Sequence, residues 1–240
     1  MKTNFLTVLV LLSSFVSPCL ADTPAKKVRL FILSGQSNMV GLKEDKSFTP
    51  IVTKAFPDDE VIVVKYAEGG QPIRFWYKGW KTPADLKLTK PKPLGYIYDI
   101  LISKVNDATK GKASPTSVTF VWMQGEADAK KQSTADLYAD SLKGLLGQLQ
   151  KDLGRDDIDF VLGRLSDCGN PGTKAAEVVP GWMTIREAQV KFVDDSKQTG
   201  WVDTDDLNGK GDGLHYDGPG VQKLGERFAA KAIELIQKRK

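Results

Sequence analysis

Runs of nearly unbroken apolar residues, separated by amphipathic stretches, constrain this chain more than any other feature. VRLFILS (28–34), EVIVVKY (60–66), SVTFVWM (117–123) and IDFVLGRL (158–165) lack the apolar–polar alternation of a half-exposed strand. GWVDTD (200–205) reads the same way, more weakly. Strands apolar on both faces belong to parallel sheets covered on both sides.

The stretches between them carry helical periodicity. In 133–154, Leu137, Leu142, Leu145, Leu146, Leu149 and Leu153 fall on one stripe. Ser133 with Asp136 predicts a capping box and Gly154 a stop. In 221–236, Val221, Leu224, Phe228, Ala232 and Leu235 share a face. Residues 95–104 and 183–194 are two further helix candidates. Strands alternating with helices predict an α/β fold, a three-layer α/β/α sandwich around a flavodoxin-like five-stranded parallel sheet. No internal repeat or low-complexity linker divides it, so residues 22–240 form one domain. The main insertion is 70–93.

The N-terminus has a different character. Lys2 precedes an apolar run from Phe5 to Val16, which ends in small residues around Ala21. This pattern predicts a secretory signal peptide over 1–21 and a secreted or periplasmic protein. No later run is apolar enough to span a bilayer. Cleavage removes Cys19 and leaves Cys168 alone, so no disulfide forms within the chain. Cys168 reads as a small buried residue rather than a reactive thiol. Net charge is +4 with no clustered basic stripe, which gives no reason to expect nucleic acid as a partner. The charge suits an acidic polymer weakly at most. Oligomeric state is not legible.

In such folds ligands bind at the carboxyl ends of the strands, so the residues after each strand matter most. GQSNMVG (35–41) follows the first and puts Ser37 on a strand-to-helix turn. A helix N-cap is the ordinary role of such a serine. The segment is not GxSxG, because Met39 stands where the second glycine would be. AEGGQPIRFW (67–76) follows the second strand, and its glycine pair lets backbone approach a ligand. WMQGEAD (122–128) follows the third; Gln124 is a candidate amide donor, and Glu126 and Asp128 are ordinary helix-start acids. DGLHYDGPG (212–220) holds His215, the only histidine, with Asp212 three residues before it.

Each segment is weak alone, but their order is specific. Ser37 supplies a nucleophile, the Ser37 and Gly70 amides and Gln124 an oxyanion hole, Asp212 an orienter and His215 a base. One histidine cannot build a multi-histidine zinc site, and no metal or other cofactor is expected. It suffices for general acid–base catalysis.

GQSNMVG, GGQPIRFW (69–76), WMQGEAD and GDGLHYDGPG (211–220) together resemble the SGNH hydrolases, within them the carbohydrate-esterase branch of sialate O-acetylesterases and acetylxylan esterases. The resemblance runs from about Arg29 to the C-terminal helix. It implies a serine esterase that removes O-acetyl groups from a carbohydrate. Ser37, His215 and Asp212 would form the triad, and the amides of Ser37 and Gly70 with the Gln124 side chain would hold the oxyanion. It leaves Glu126 as an alternative acid partner for His215, and Gly69 as an alternative to Gly70. Many relatives carry histidine where this chain has Met123.

FWYKGW (75–80) lies beside the second block. Trp76 reads as core, and Trp80 stays open as a sugar-stacking surface. Arg186 is expected to brace the site against a carboxylate, with substrate contact as its lesser role. Two rivals remain: a general short-chain ester or lipid esterase, and a non-catalytic carbohydrate-binding protein. The polar insertion at 70–93 disfavours the first, and the intact Ser37, Asp212 and His215 disfavour the second.

Overall fold

The structure is a computed structural model that describes residues 26–88, 92–167, 179–194, 196–209 and 211–239. The expected signal peptide, with Cys19, and Cys168 lie outside the described residues.

Five parallel strands form one sheet: β1 (Val28–Gly35), β2 (Glu60–Ala67), β3 (Ser117–Met123), β4 (Asp159–Gly163) and β5 (Thr199–Val202). The spatial order is β2-β1-β3-β4-β5. This is the expected flavodoxin-like arrangement, and the order reverses beside β1. β1 and β3 are buried along their whole length, as their unbroken apolar runs require. β4 is shorter than its apolar run: Arg164 still donates its amide to Val202, but the chain then leaves the sheet.

Three short helices follow β1: α1 (Ser37–Gly41), α2 (Glu44–Ser47) and α3 (Thr49–Ala55). No period marks them, because each is too brief to show one. α4 (Tyr96–Thr109) crosses back from β2 to β3. Two single turns, α5 (Glu126–Ala129) and α6 (Gln132–Ala135), precede α7 (Tyr138–Leu153). α8 is Trp182–Asp194 and α9 is Gly218–Lys238. α9 packs with α2 and α3 on one face of the sheet; α7 packs with α8 on the other.

The helix expected over 133–154 is therefore interrupted, and Ser133 does not cap it. Its first turn is pulled toward α5 by the Thr134 hydroxyl, which donates to the Asp128 carbonyl at 2.6 Å. Tyr138 then opens α7 and donates its phenol to the Gln124 carbonyl at 2.7 Å. These tertiary bonds outweigh the local cap. Gly154 ends α7 in the left-handed conformation, as expected.

Aromatic packing centres on β3. Phe120 lies 5.0 Å from Phe160 and 5.7 Å from Trp122 between ring centroids, and Trp122 meets Trp76 edge-on at 5.1 Å. Trp76 donates its indole N–H to Ser34 at 2.8 Å, so it is a core residue as expected. Each such burial contributes about 2–3 kcal/mol. The rigid centre holds the carboxyl ends of β1, β2 and β3 side by side.

Candidate active site

The segments after β1, β2 and β3 converge with the loop before α9. Gly35 ends β1 with φ +148°, and Gln36 donates its amide to the Met123 carbonyl at 2.9 Å. Gln36 and Asn38 are buried while Ser37 between them reaches the surface. Its amide opens α1, where the first N–H groups have no intrahelical acceptor.

Ser37 Oγ lies 3.0 Å from His215 Nε2, and His215 Nδ1 lies 2.7 Å from Asp212 Oδ2. With Nδ1–H donated to the carboxylate, Nε2 is left to accept the serine proton. Asp212 Oδ1 accepts the amides of Leu214 at 2.9 Å and His215 at 2.8 Å. Those bonds, first the backbone and then the imidazole, hold the Asp212 carboxyl down at about 2. It stays ionised and can support an imidazolium. The His215 and Asp212 side chains are 49% and 57% exposed, so the site is shallow and open. A surface hollow lined by Thr199, Trp201, Lys231 and Leu235 runs along β5 and α9 and includes none of these groups.

The turn after β2 lies against the serine. A Cβ on Gly69 would stand 3.7 Å from that of Ser37. Gly70 has φ +70°, which suits glycine and turns the chain across the site.

Gln124 departs from expectation. It is fully buried, and its amide group donates to Asp128 Oδ2 at 2.6 Å and to the Gln71 carbonyl at 3.1 Å. These contacts occupy both of its N–H groups. It braces the turn after β2 and is not aimed at the Ser37 hydroxyl. Asp128, also buried, accepts the Ile73 amide at 2.8 Å. Burial pushes its carboxyl up to about 6, opposed by those bonds and by Arg74.

Glu126 makes no hydrogen bond to His215. It is buried beneath the site, and its Oε1 accepts from Asn38 Nδ2 at 2.9 Å. Burial raises its carboxyl to about 7. Asp212, not Glu126, is in contact with the imidazole.

Trp80 offers no stacking face. It is 5% exposed within the apolar core, because Phe75, Trp76 and Trp80 of FWYKGW pack inward while Lys78 and Gly79 stay exposed. Arg186 is committed to Asp205 through bonds of 2.8 and 3.2 Å, and also donates to the Leu165 carbonyl. It is a brace, and the substrate role does not fit a guanidinium so occupied. Among the described residues, no group of three or more His, Cys, Asp or Glu could hold a metal ion, and no helix is long and apolar enough to cross a membrane.

Asn38 was not singled out in the sequence. GQSN offers only one signal, a second polar residue in a segment that must be buried. Arg74 was also missed. Its guanidinium has no hydrogen bond or ion pair among the described residues and rests 4.6 Å from the Phe75 ring centroid and 5.7 Å from that of Trp80. Every other arginine pairs with an aspartate.

The fold has solved relatives. An Arabidopsis thaliana protein superposes with a TM-score of 0.66 at 18% identity, covering 86% of this chain and 98% of that one. A Xanthomonas citri carbohydrate acetylesterase gives 0.60 at 17%, covering 87% and 56%. A Corynascus thermopiles carbohydrate esterase family 2 enzyme with a carbohydrate-binding domain gives 0.53 at 19%, covering 90% and 68%. At these identities the likeness is one of fold, that of the SGNH hydrolases. No curated protein matches the chain. Residues 41–234 match the family described as carbohydrate esterase, sialic acid-specific acetylesterase, which is most of the chain. With that match beside an SGNH fold, the chain belongs to the sialic acid-specific acetylesterase family of carbohydrate esterases.

Proposed function

We propose that the protein is an exported serine esterase that removes O-acetyl groups from a sugar through Ser37, His215 and Asp212. The observation that carries this reading is the unbroken hydrogen-bond chain from Asp212 through His215 to Ser37. Ser37 Oγ attacks the acetyl carbonyl while His215 Nε2 takes its proton. The amides of Ser37 and Gly70 stabilise the resulting oxyanion. Collapse releases the sugar hydroxyl, which receives the proton from His215, and leaves acetyl-Ser37. Water then attacks this ester, His215 takes the water's proton, and collapse frees acetate and restores Ser37.

An open site suits a glycan more than a buried acyl chain. Arg74 favours an acidic sugar. A half-buried, ring-stacked guanidinium that makes no ion pair among the described residues, with Asp128 near enough only to act on it through space, is preorganised to pair with a ligand carboxylate. It sits on the segment that Gln124 and Asp128 fasten beside Ser37. A neutral acetylated glycan such as xylan is the second reading.

The test is acetate release from O-acetylated sialic acid and from acetylated xylan, with Ser37→Ala as control. Release that vanishes in the variant supports the serine esterase, and the better substrate names the branch. Cleavage of a small chromogenic acetate alone keeps the chemistry and rejects both sugars. No cleavage of any ester leaves a carbohydrate-binding protein.

A further inference from the structure

The three polar contacts of Asn38 are distributed unusually. It stands next to Ser37 and is 3% exposed. Its Oδ1 accepts the Tyr216 amide at 3.1 Å. Its Nδ2 donates to the Leu214 carbonyl at 3.2 Å and to Glu126 Oε1 at 2.9 Å. Leu214 and Tyr216 flank His215. One side chain therefore grips the histidine loop on both sides of the imidazole and anchors that grip on a buried carboxyl group. The amide orientation follows from its backbone partners, since the Leu214 carbonyl can only accept and the Tyr216 amide can only donate.

We propose that Asn38 is the positioning residue of His215, and that Glu126 acts on the site through Asn38 rather than by contact with the imidazole. The contact between His215 Nε2 and Ser37 Oγ joins segments 178 residues apart in sequence. Asn38 joins the same two segments, so it sets the separation of base and nucleophile. The loop has other supports. Asp212 holds the Leu214 and His215 amides, and Asn208 Nδ2 donates to the Gly213 carbonyl at 2.8 Å. These bonds lie within the stretch leading into α9; Asn38 and Ser37 reach it from α1.

Glu126 supplies the reason for the amide's orientation. Its Oε1 draws Nδ2 downward, which leaves Oδ1 for Tyr216. Its Oε2 has no hydrogen-bond partner among the described residues. The Glu126 carboxyl group thus lies within the relay and makes no hydrogen bond to the imidazole.

The proposal rests on the esterase reading for its kinetic readout, but His215 provides a second one. It is the only histidine, so protein made without a polyhistidine tag gives a single set of imidazole nitrogen resonances. In the parent these should report one tautomer, protonated at Nδ1. Asn38→Ala should mix the tautomers and lower kcat about tenfold to a hundredfold, with KM changed less than about threefold. Glu126→Gln keeps an oxygen for Asn38 Nδ2 and should stay within about fivefold in kcat. The double variant should be no slower than Asn38→Ala alone, as expected of two residues in one relay.

Parent-like kcat and an unchanged imidazole spectrum in Asn38→Ala overturn the proposal. So does a Glu126→Gln loss as large as that of Asp212→Asn, which would put Glu126 in direct contact with the base. Should Asn38→Ala not fold, Glu126→Leu removes the acceptor without touching the loop. It must then reproduce the mixed tautomers, and a parent-like spectrum counts against the relay. If the parent cleaves no ester, the functional reading falls alone and the spectra still decide this one.

Discussion

Gly35 and Met123 end adjacent strands and meet so closely that no side chain fits between them. A Cβ on Gly35 would stand 2.6 Å from the carbonyl carbon of Met123 and nearer still to its oxygen. Its φ of +148° is also closed to other residues. The close approach carries the chain from β1 straight into Ser37. Gly35→Ala should therefore cost about 2–4 kcal/mol, a fall in Tm of about 5–15 °C, with soluble yield falling too. Thermal unfolding checks this, and a Tm within about 2 °C of the parent would contradict it.

Asp212→Asn should separate chemistry from folding. The carboxylate is more than half exposed and packs against little. Its loss should lower Tm only modestly, since Asn keeps an oxygen for the Leu214 and His215 amides, yet lower kcat by about 10⁴, because an amide can hold the wrong tautomer of His215. Since burial does not hold Asp212 up and its value is about 2, this partner stays charged through the whole working range. Its contribution to stability is present above the ordinary aspartate range and fades only as pH falls toward about 2. Kinetics and thermal unfolding on the same variant decide the matter; equal losses in both would point to a structural role.

Glu126 should make stability depend on pH in the opposite sense. Its folded value of about 7 exceeds that of an exposed glutamate, about 4.3. Between these values the folded protein keeps a proton that the unfolded chain has released. The stability this gives is complete below about pH 4 and is lost as pH rises through about 7. Glu126→Gln cannot ionise. Its Tm relative to the parent should rise from about pH 5 to about pH 8 and then level off. A difference that does not vary with pH would show that Glu126 is not held protonated.

Arg74→Gln should change selectivity and not chemistry. Loss of a carboxylate-reading guanidinium costs about tenfold to a hundredfold in kcat/KM on an acidic sugar. Hydrolysis of a neutral acetate should stay within about twofold. Equal losses on both substrates would make Arg74 a structural support for Phe75 and Trp80.

The fold was legible because its strongest signal is local. Apolar runs such as VRLFILS and SVTFVWM state how many strands there are and that both faces are covered, and parallel pairing follows from that burial. Ser37, Asp212 and His215 were legible for a related reason. Each follows or precedes an element whose end is marked in sequence, and Asp212 reaches His215 within one turn.

What the sequence by itself determined was therefore the architecture and the candidate residues Ser37, Asp212 and His215 that the fold brings together, since both are written in short windows of residue type. The tertiary structure alone decided the partners of the buried polar side chains. Gln124 could face the nucleophile or Asp128, and it faces Asp128 because the turn after β2 offers the Gln71 carbonyl beside it. Trp80 could stack on a sugar or fill the core, and it fills the core. Asn38 and Glu126 lie 88 residues apart, and Asn38 and Tyr216 lie 178 apart. A buried polar group must find a partner wherever the fold brings one, and that choice belongs to three-dimensional packing rather than to any local pattern.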